Sequence, residues 1–166
     1  MNEAWVRELA DKIAIRDVLS RYCRGLDRMD RDMARSVFTE DATARYYGIY
    51  EGSGHGFVDW VWDAHAAMER HSHQISNTLI ELKGDTAVSE SYVTVVLWTR
   101  PPRQTELTVR GRYLDRWTRS HGAWRIRERE HVVDTQSVNG VPLPTGVSRE
   151  SARDRADPSF RLFAGG

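Results

Sequence analysis

Apolar residues recur in two different rhythms, one in each half of the chain. In the first half, Ile15, Val18, Leu19, Tyr22 and Leu26 fall at i, i+3, i+4, i+7 and i+11, the stripe of an amphipathic helix. Asp11, Lys12, Arg16, Asp17, Arg21 and Arg24 mostly fall off that stripe, which predicts one long helix over 3–29. Gly25 and Leu26-Asp27-Arg28 mark its fraying end. Asp30 reads as the N-cap of a second, short helix whose apolar positions are Met33, Val37 and Phe38. Residues 41–50, rich in Thr and Tyr, read as β-structure, with Gly48, Gly52, Gly54 and Gly56 as turn signals. Over 55–70, Phe57, Val61, Ala64 and Met68 recur every three or four residues and predict a third helix.

From His71 onward the period changes to two. Strands are expected near 73–83, 86–99, 104–118 and 123–135. Lys83-Gly84-Asp85, Arg100-Pro101-Pro102-Arg103 and Ser120-His121-Gly122 supply the connections between them. Three antiparallel connections in a row make a meander. The tail over 136–166 holds three of the five prolines, and it reads as a loop or arm outside the core. Helices first and strands afterwards means α+β, not a doubly wound parallel sheet. A long helix laid across a bent, mostly antiparallel sheet gives a cone-shaped α+β barrel with an open mouth. The expected organisation is one domain over 1–135 and an arm over 136–166, packed on its own or a neighbouring subunit.

Composition narrows the function classes. A chain of 166 residues is one domain. Lys plus Arg and Asp plus Glu both number 24, so no net charge favours nucleic acid or an acidic membrane surface. The single cysteine, Cys23, excludes an internal disulfide and a cysteine zinc cluster. The start shows no basic run followed by an apolar core, and no apolar run approaches spanning length. A cytoplasmic address is expected.

Four short motifs carry a resemblance. They are Tyr22-Cys-Arg-Gly-Leu-Asp27-Arg-Met-Asp30, Phe38-Thr-Glu-Asp41-Ala, His73-Gln-Ile-Ser-Asn77 and Trp124-Arg-Ile-Arg-Glu-Arg129. Together, in this order over roughly 5–135, they resemble the SnoaL-like family, which shares the cone fold of nuclear transport factor two. The nearest branch holds hexachlorocyclohexane dehydrochlorinase, bile acid dehydratase and, more distantly, scytalone dehydratase. The resemblance implies an enzyme with no metal and no organic cofactor, in which a His–Asp pair removes a proton and a leaving group departs from the neighbouring carbon. By motif position the pair is His73 with Asp27, Tyr22 matches the dehydratase tyrosine, and Arg129 matches a pocket arginine. The dehydrochlorinase-type lysine of the first helix is absent, with Ser20 and Tyr22 in its neighbourhood. That departure weighs against halide elimination and for dehydration or isomerisation. The same pair serves polyketide cyclases, and the same cone also serves non-catalytic modules such as the small subunit of ring-hydroxylating dioxygenases. Relatives in this branch are commonly trimers, and Val141-Pro-Leu-Pro144 is a stiff apolar segment suited to lie on a neighbouring copy. A homo-oligomer, trimer ahead of dimer, is expected.

The residues themselves fit that chemistry and also a plainer one. His73 is one of six histidines, a residue type whose unperturbed pKa of about 6.5 suits a general base. The plainer role is a hydrogen-bonded strand histidine. Asp27 lies at a helix C-terminus, where the dipole disfavours a carboxylate. It either orients His73 or pairs with Arg24 or Arg28. Tyr22 lies on the apolar stripe, so its hydroxyl needs a buried partner or a substrate oxygen. Strict alternation puts Arg125, Arg127 and Arg129 on one face. That face is either solvated and paired with Glu128, Glu130 and Asp115, or Arg129 is turned inward by twist or a bulge to bind an oxyanion. His71-Ser72-His73, even with His55 and His65, lacks a third ligand in fixed geometry, and no metal is expected. Tyr46, Trp60, Ala64, Met68 and Trp98 are the expected pocket lining, where an aromatic wall suits a small hydrophobic substrate, polycyclic or aromatic. No Gly-rich phosphate loop and no nucleophile elbow is present, and Cys23 lacks the setting of a nucleophile.

Overall fold

The computed structural model describes residues 3–144 and 151–164. Helix α1 runs over Glu3–Asp27 and buries Ile15, Leu19, Tyr22, Cys23 and Leu26. Its first turns, by contrast, stand in solvent. A tight corner follows. The Asp30 carboxylate caps α2 (Arg31–Ser36) by accepting from the Met33 N–H at 3.0 Å. The two helices meet at Gly25, where a Cβ would lie 2.7 Å from the Ala34 backbone nitrogen. Only glycine allows that approach, and it fixes the direction in which α1 delivers Asp27.

Strand β1 (Phe38–Tyr46) and the short β2 (Tyr50–Ser53) form a hairpin, and Ser53 caps α3 (Gly54–Ala66). Four long strands then make the meander: β3 (Met68–Lys83), β4 (Thr86–Thr99), β5 (Glu106–Ser120) and β6 (Ala123–Val138). The turn before β6 has φ of +50° at His121 and +77° at Gly122, the twist that joins antiparallel strands through two residues. The sheet order is β2-β1-β6-β5-β4-β3, and β1 pairs with β6 in parallel. That pairing brings the first strand alongside the last long one, so α1 and α3 lie over the concave face. The fold is the cone-shaped α+β architecture.

Strand register sorts the concave face into cross-strand rows. Leu82, Ala87, Trp117 and Ile126 form the row at the closed end, and Ile80, Ser89, Asp115 and Arg129 form the next. The third joins Ser91, Tyr113, His131 and Tyr46. Nearer the mouth come Ile75, Val93, Gly111 and Val133, then His73, Val95 and Val109. His73 is therefore in the body of β3, not at its start.

Two expectations about facing are corrected. In β6, Trp117 pairs with Ile126 but Arg116 pairs with Glu128, so Arg127 is an extra residue. This bulge reverses the alternation: Arg127 is exposed while Arg129 points into the core at 1% exposure. In β4, Leu97 packs on the inner core, so Trp98 is turned to the convex face instead of the cavity.

The tail is more structured than a loop. β6 continues to Val138 and pairs with β7 (Val141–Pro142), while α4 (Pro158–Ala164) packs on the convex face of the same chain. There Leu162 covers Val88, Leu114 and Val132. Arg112 anchors it, donating to both Asp157 carboxylate oxygens at 2.9 and 2.8 Å and also to Asp134 and Glu90.

Candidate active site

The final residue of α1 and the middle of β3 meet at the open end of the cone. Asp27 Oδ1 lies 2.7 Å from His73 Nδ1, and the His73 backbone N–H donates to both Asp27 oxygens at 3.1 and 2.9 Å. His71, two residues earlier on the same strand face, brings its Nδ1 to 3.4 Å of the same oxygen. Burial pushes the Asp27 carboxyl up, but the hydrogen bonds from His71 and His73 outweigh it and hold it well below the ordinary carboxylate range. An ionised carboxylate only accepts, so His73 donates through Nδ1, and in the neutral ring Nε2 is the nitrogen left to act as a base. Neither Arg24 nor Arg28 takes the Asp27 side chain; Arg28 donates to its backbone carbonyl.

Both partners are largely shielded, with 4% of the His73 side chain and 12% of the Asp27 side chain exposed. A groove of about 440 Å³ reaches them, lined from α1 by Ser20, Cys23, Arg24 and Asp27 and from β3 by His73 and Ile75. Cys23 is buried, and burial pushes its thiol up to about 12, so it is inert.

His65 completes the cluster. It extends from α3 with its ring centroid 4.4 Å from His71 and 5.6 Å from His73. Burial, with the two neighbouring histidines, pushes it down to about 3, and its Nδ1 has no hydrogen-bond partner among the described residues. Asp27, His71 and His73 place one ligand atom each within 4.8 Å of one another, two imidazoles and a carboxylate suited to a transition metal. The contact that organises them is nevertheless a hydrogen bond: the 2.7 Å His73–Asp27 distance and the backbone N–H already serve the carboxylate.

The remaining candidates divide. Tyr22 and Tyr46 meet in the core with hydroxyls 2.7 Å apart, and Tyr46 stacks on Phe57 at 3.6 Å. Burial pushes both phenols well above their ordinary value. Arg129 makes a bidentate pair with Asp115 at 2.7 and 2.8 Å. Its guanidinium lies over the Tyr113 and Tyr22 rings at 4.0 and 4.4 Å. Asp115 was a foreseeable partner, but the pair is in the core and not on a solvated face.

The expected pocket wall is not assembled. The buried face of α3 is Phe57, Val58, Val61 and His65. Counting His65 as apolar in effect rotates the stripe, so Trp60 (43% exposed) and Ala64 turn to solvent. The helix ends at Ala66, and Met68 opens β3 as a half-buried residue paired with Thr99. Trp98 is on the convex side. Of the five expected lining residues, Tyr46 alone is inside. Two interior histidines, His65 and His131, were missed as site residues. Strand parity from the inward Arg129 marks His131 once the bulge is known.

A SnoaL-like domain model matches residues 7–130. Among curated protein sequences none matches. The chain is similar in structure to a candidate scytalone dehydratase from Novosphingobium aromaticivorans, with TM-score 0.73 and 20% identity over 85% of this chain and 97% of that one. It is similar to a hexachlorocyclohexane dehydrochlorinase (LinA) type 2, with TM-score 0.73 and 18% identity over 86% and 99%. It is also similar to a protein of unknown function from Mycobacterium tuberculosis, with TM-score 0.71 and 26% identity over 99% and 92%. At these identities the first two likenesses speak for the fold, and the family match covers most of the chain: it belongs to the SnoaL-like domain family.

Proposed function

We propose that the protein is a cofactor-independent lyase or isomerase in which His73 is the general base and Asp27 its orienting partner. The observation that carries this reading is the 2.7 Å Asp27–His73 contact at the end of a groove from solvent. His73 Nε2 removes a proton beside a carbonyl, and the electron pair moves to the carbonyl oxygen as an enolate. The enolate collapses to a carbon–carbon double bond, expelling the hydroxyl of the neighbouring carbon, which takes the proton back from the His73 imidazolium and leaves as water. The Asp27 carboxylate stabilises the imidazolium that forms. Of the two residues the family motifs offer for the developing oxyanion, Tyr22 or Arg129, Arg129 is held by Asp115 in the core, so Tyr22 is the donor assigned. Val93, Val95 and Val109, in the strand rows at and beside His73, favour a small hydrophobic substrate. General-base action of this kind supplies roughly 10²–10⁴-fold in rate. The dehydratase and dehydrochlorinase names of the structural neighbours are consistent with elimination.

The test is a screen of cyclic β-hydroxy ketones, followed by the ultraviolet absorbance of the enone. Elimination that is lost in both His73→Ala and Asp27→Asn supports the reading, provided both variants keep the far-ultraviolet circular dichroism of the wild type. Turnover that survives both substitutions overturns it. Ring closure of a diketone by the same pair, without elimination, points to a cyclase.

Assembly is part of the same proposal. On the N-terminal half of α1, Trp5, Leu9 and Ile13 form an exposed apolar stripe that a second copy of the chain can cover, and a trimer is expected. Light scattering that returns a 19.1 kDa particle at micromolar concentration removes it. No helix among the described residues is long and apolar enough to cross a membrane.

A further inference from the structure

We infer that His131 is a specificity-determining residue that recognises a neutral oxygen substituent at the buried end of the ligand. The inference rests on the proposed function only in calling that ligand a substrate. His131 lies in the row between the Asp115–Arg129 pair and the apolar walls nearer the mouth. Its ring packs 5.2 Å from that of Tyr46 and 5.3 Å from that of Tyr113. Burial, helped by the Arg129 charge, pushes its imidazole down to about 3. It is therefore neutral at pH 7, with one N–H and one bare nitrogen. Neither nitrogen has a hydrogen-bond partner among the described residues, although the residue is only 6% exposed. Leaving such groups unpaired in a core is costly, so an apolar side chain would serve the fold better.

The surroundings say what is missing. Arg129 Nη1 makes no short hydrogen bond among the described residues, and the guanidinium reaches only the Tyr46 phenol, whose ionised form it favours by charge and by a side-chain hydrogen bond. The mutual bond between Tyr22 and Tyr46 uses one hydroxyl hydrogen and leaves the other without an acceptor. The floor of the cone thus holds several donors with no short hydrogen bond to an acceptor among the described residues: Arg129 Nη1, one phenol hydrogen, the His131 N–H and, in the same row, the Ser91 hydroxyl. It calls for an acceptor oxygen. That oxygen must be neutral: Asp115 already balances Arg129 at 2.7 and 2.8 Å, and a carboxylate brought there adds an unpaired charge in a dry interior. A keto group meets both conditions.

Three ligands of similar shape decide the matter: 2-acetonaphthone, 2-naphthoate and 2-ethylnaphthalene, titrated by NMR into protein carrying ¹⁵N-histidine. The ketone is expected to bind at least tenfold more tightly than either of the others and to move the His131 ring resonances. His131→Leu is expected to erase that preference, and His131→Gln, which keeps a donor, to retain most of it. Absence of ketone binding, equal binding of all three, an unmoved His131 ring, or a preference intact in His131→Leu each overturns the inference. If His131→Leu does not fold, the ring shift and His131→Gln still decide. His73→Ala separates the two proposals, since it removes turnover but leaves the ketone preference. Turnover without the preference sinks this inference alone, and preference without turnover sinks only the proposed elimination.

Discussion

Two carboxylates at opposite ends of the cone, Asp115 and Asp27, are each bound to a basic side chain, and they differ in almost every respect that matters to function. Asp115 and Arg129 lie at the closed end with both side chains fully buried, locked by two short hydrogen bonds and capped by aromatic rings. Asp27 and His73 lie at the open end, reached by a groove, on elements that meet only through tertiary packing. Arginine does not release its proton near neutral pH, so the closed-end pair fixes a charge and a geometry. Histidine does, so the open-end pair can move a proton. The same two charge types therefore make a structural anchor at one end and a chemical device at the other.

If that division is right, the largest loss of stability belongs to the closed end. Asp115→Ala leaves the Arg129 guanidinium buried with no counter-charge, and breaking one side of such a pair costs about 3–5 kcal/mol. Urea unfolding at pH 7.5 measures it. A loss below about 1 kcal/mol contradicts the role of the pair as anchor. A double variant, Asp115→Leu with Arg129→Met, removes both charges and is expected to recover much of the loss.

Protonation attacks both ends by one mechanism. His65 near the mouth and His131 near the floor are held down at about 3 by burial, against about 6.5 in the unfolded chain. Their contribution is complete above pH 6.5. As pH falls below that, the unfolded state takes up protons that the folded state refuses, and stability drops until the folded pKa near 3 is reached. The slope is about 1.4 kcal/mol per pH unit for each histidine. Asp27, whose carboxyl is held low by its histidines, adds to the loss only below about pH 4, where unfolded carboxylates protonate. Unfolding free energies at pH 7.5, 6.0 and 5.0 test this, with His65→Leu and His131→Leu each expected to remove one histidine's share of the slope. A flat profile between 6.5 and 5 means that neither imidazole is held neutral.

The two ends also differed in how far the sequence disclosed them. The open-end pair was approachable because Asp27 ends a clear helical stripe and His73 falls in a strand of clear period two; the family motifs supplied the pairing. The closed end was hidden by the bulge at Arg127. One extra residue reverses the facing of Arg129 and His131, and no periodicity within the strand announces it. The lining was misjudged for a related reason. His65 counts as polar in any hydrophobic stripe, yet it is 6% exposed, and that single misassignment turns Trp60 and Ala64 inward on paper. Trp98 failed by parity: its neighbour Leu97 faces the core. The parallel β1–β6 pairing joins segments far apart in sequence, which local pattern does not register.

Between the two ends lies the corner that aims Asp27. Gly25→Ala places a methyl carbon 2.7 Å from the Ala34 nitrogen and 3.0 Å from its Cα, which forces α1 and α2 apart. Such overpacking costs about 1–3 kcal/mol. Because the displaced segment is two residues before Asp27, the variant is also expected to lower turnover by more than its stability loss implies, since sub-ångström placement matters to proton transfer. A variant with unchanged turnover shows that the corner supports the fold without setting the pair's geometry.

The smallest change in stability is expected where the change in function is largest. His73→Ala deletes the imidazole but keeps the backbone N–H that donates to both Asp27 oxygens, and His71 stays beside the carboxylate. Asp27 is therefore still partnered, and the vacated space adjoins a groove open to solvent. A stability loss of about 1 kcal/mol follows, the net worth of one side-chain hydrogen bond, against a loss of 10²–10⁴-fold in the elimination rate. The comparison with Asp115→Ala is the sharp one. If His73→Ala costs as much stability as Asp115→Ala, the open-end histidine is a structural member like its closed-end counterpart, and the division of labour between the two ends fails.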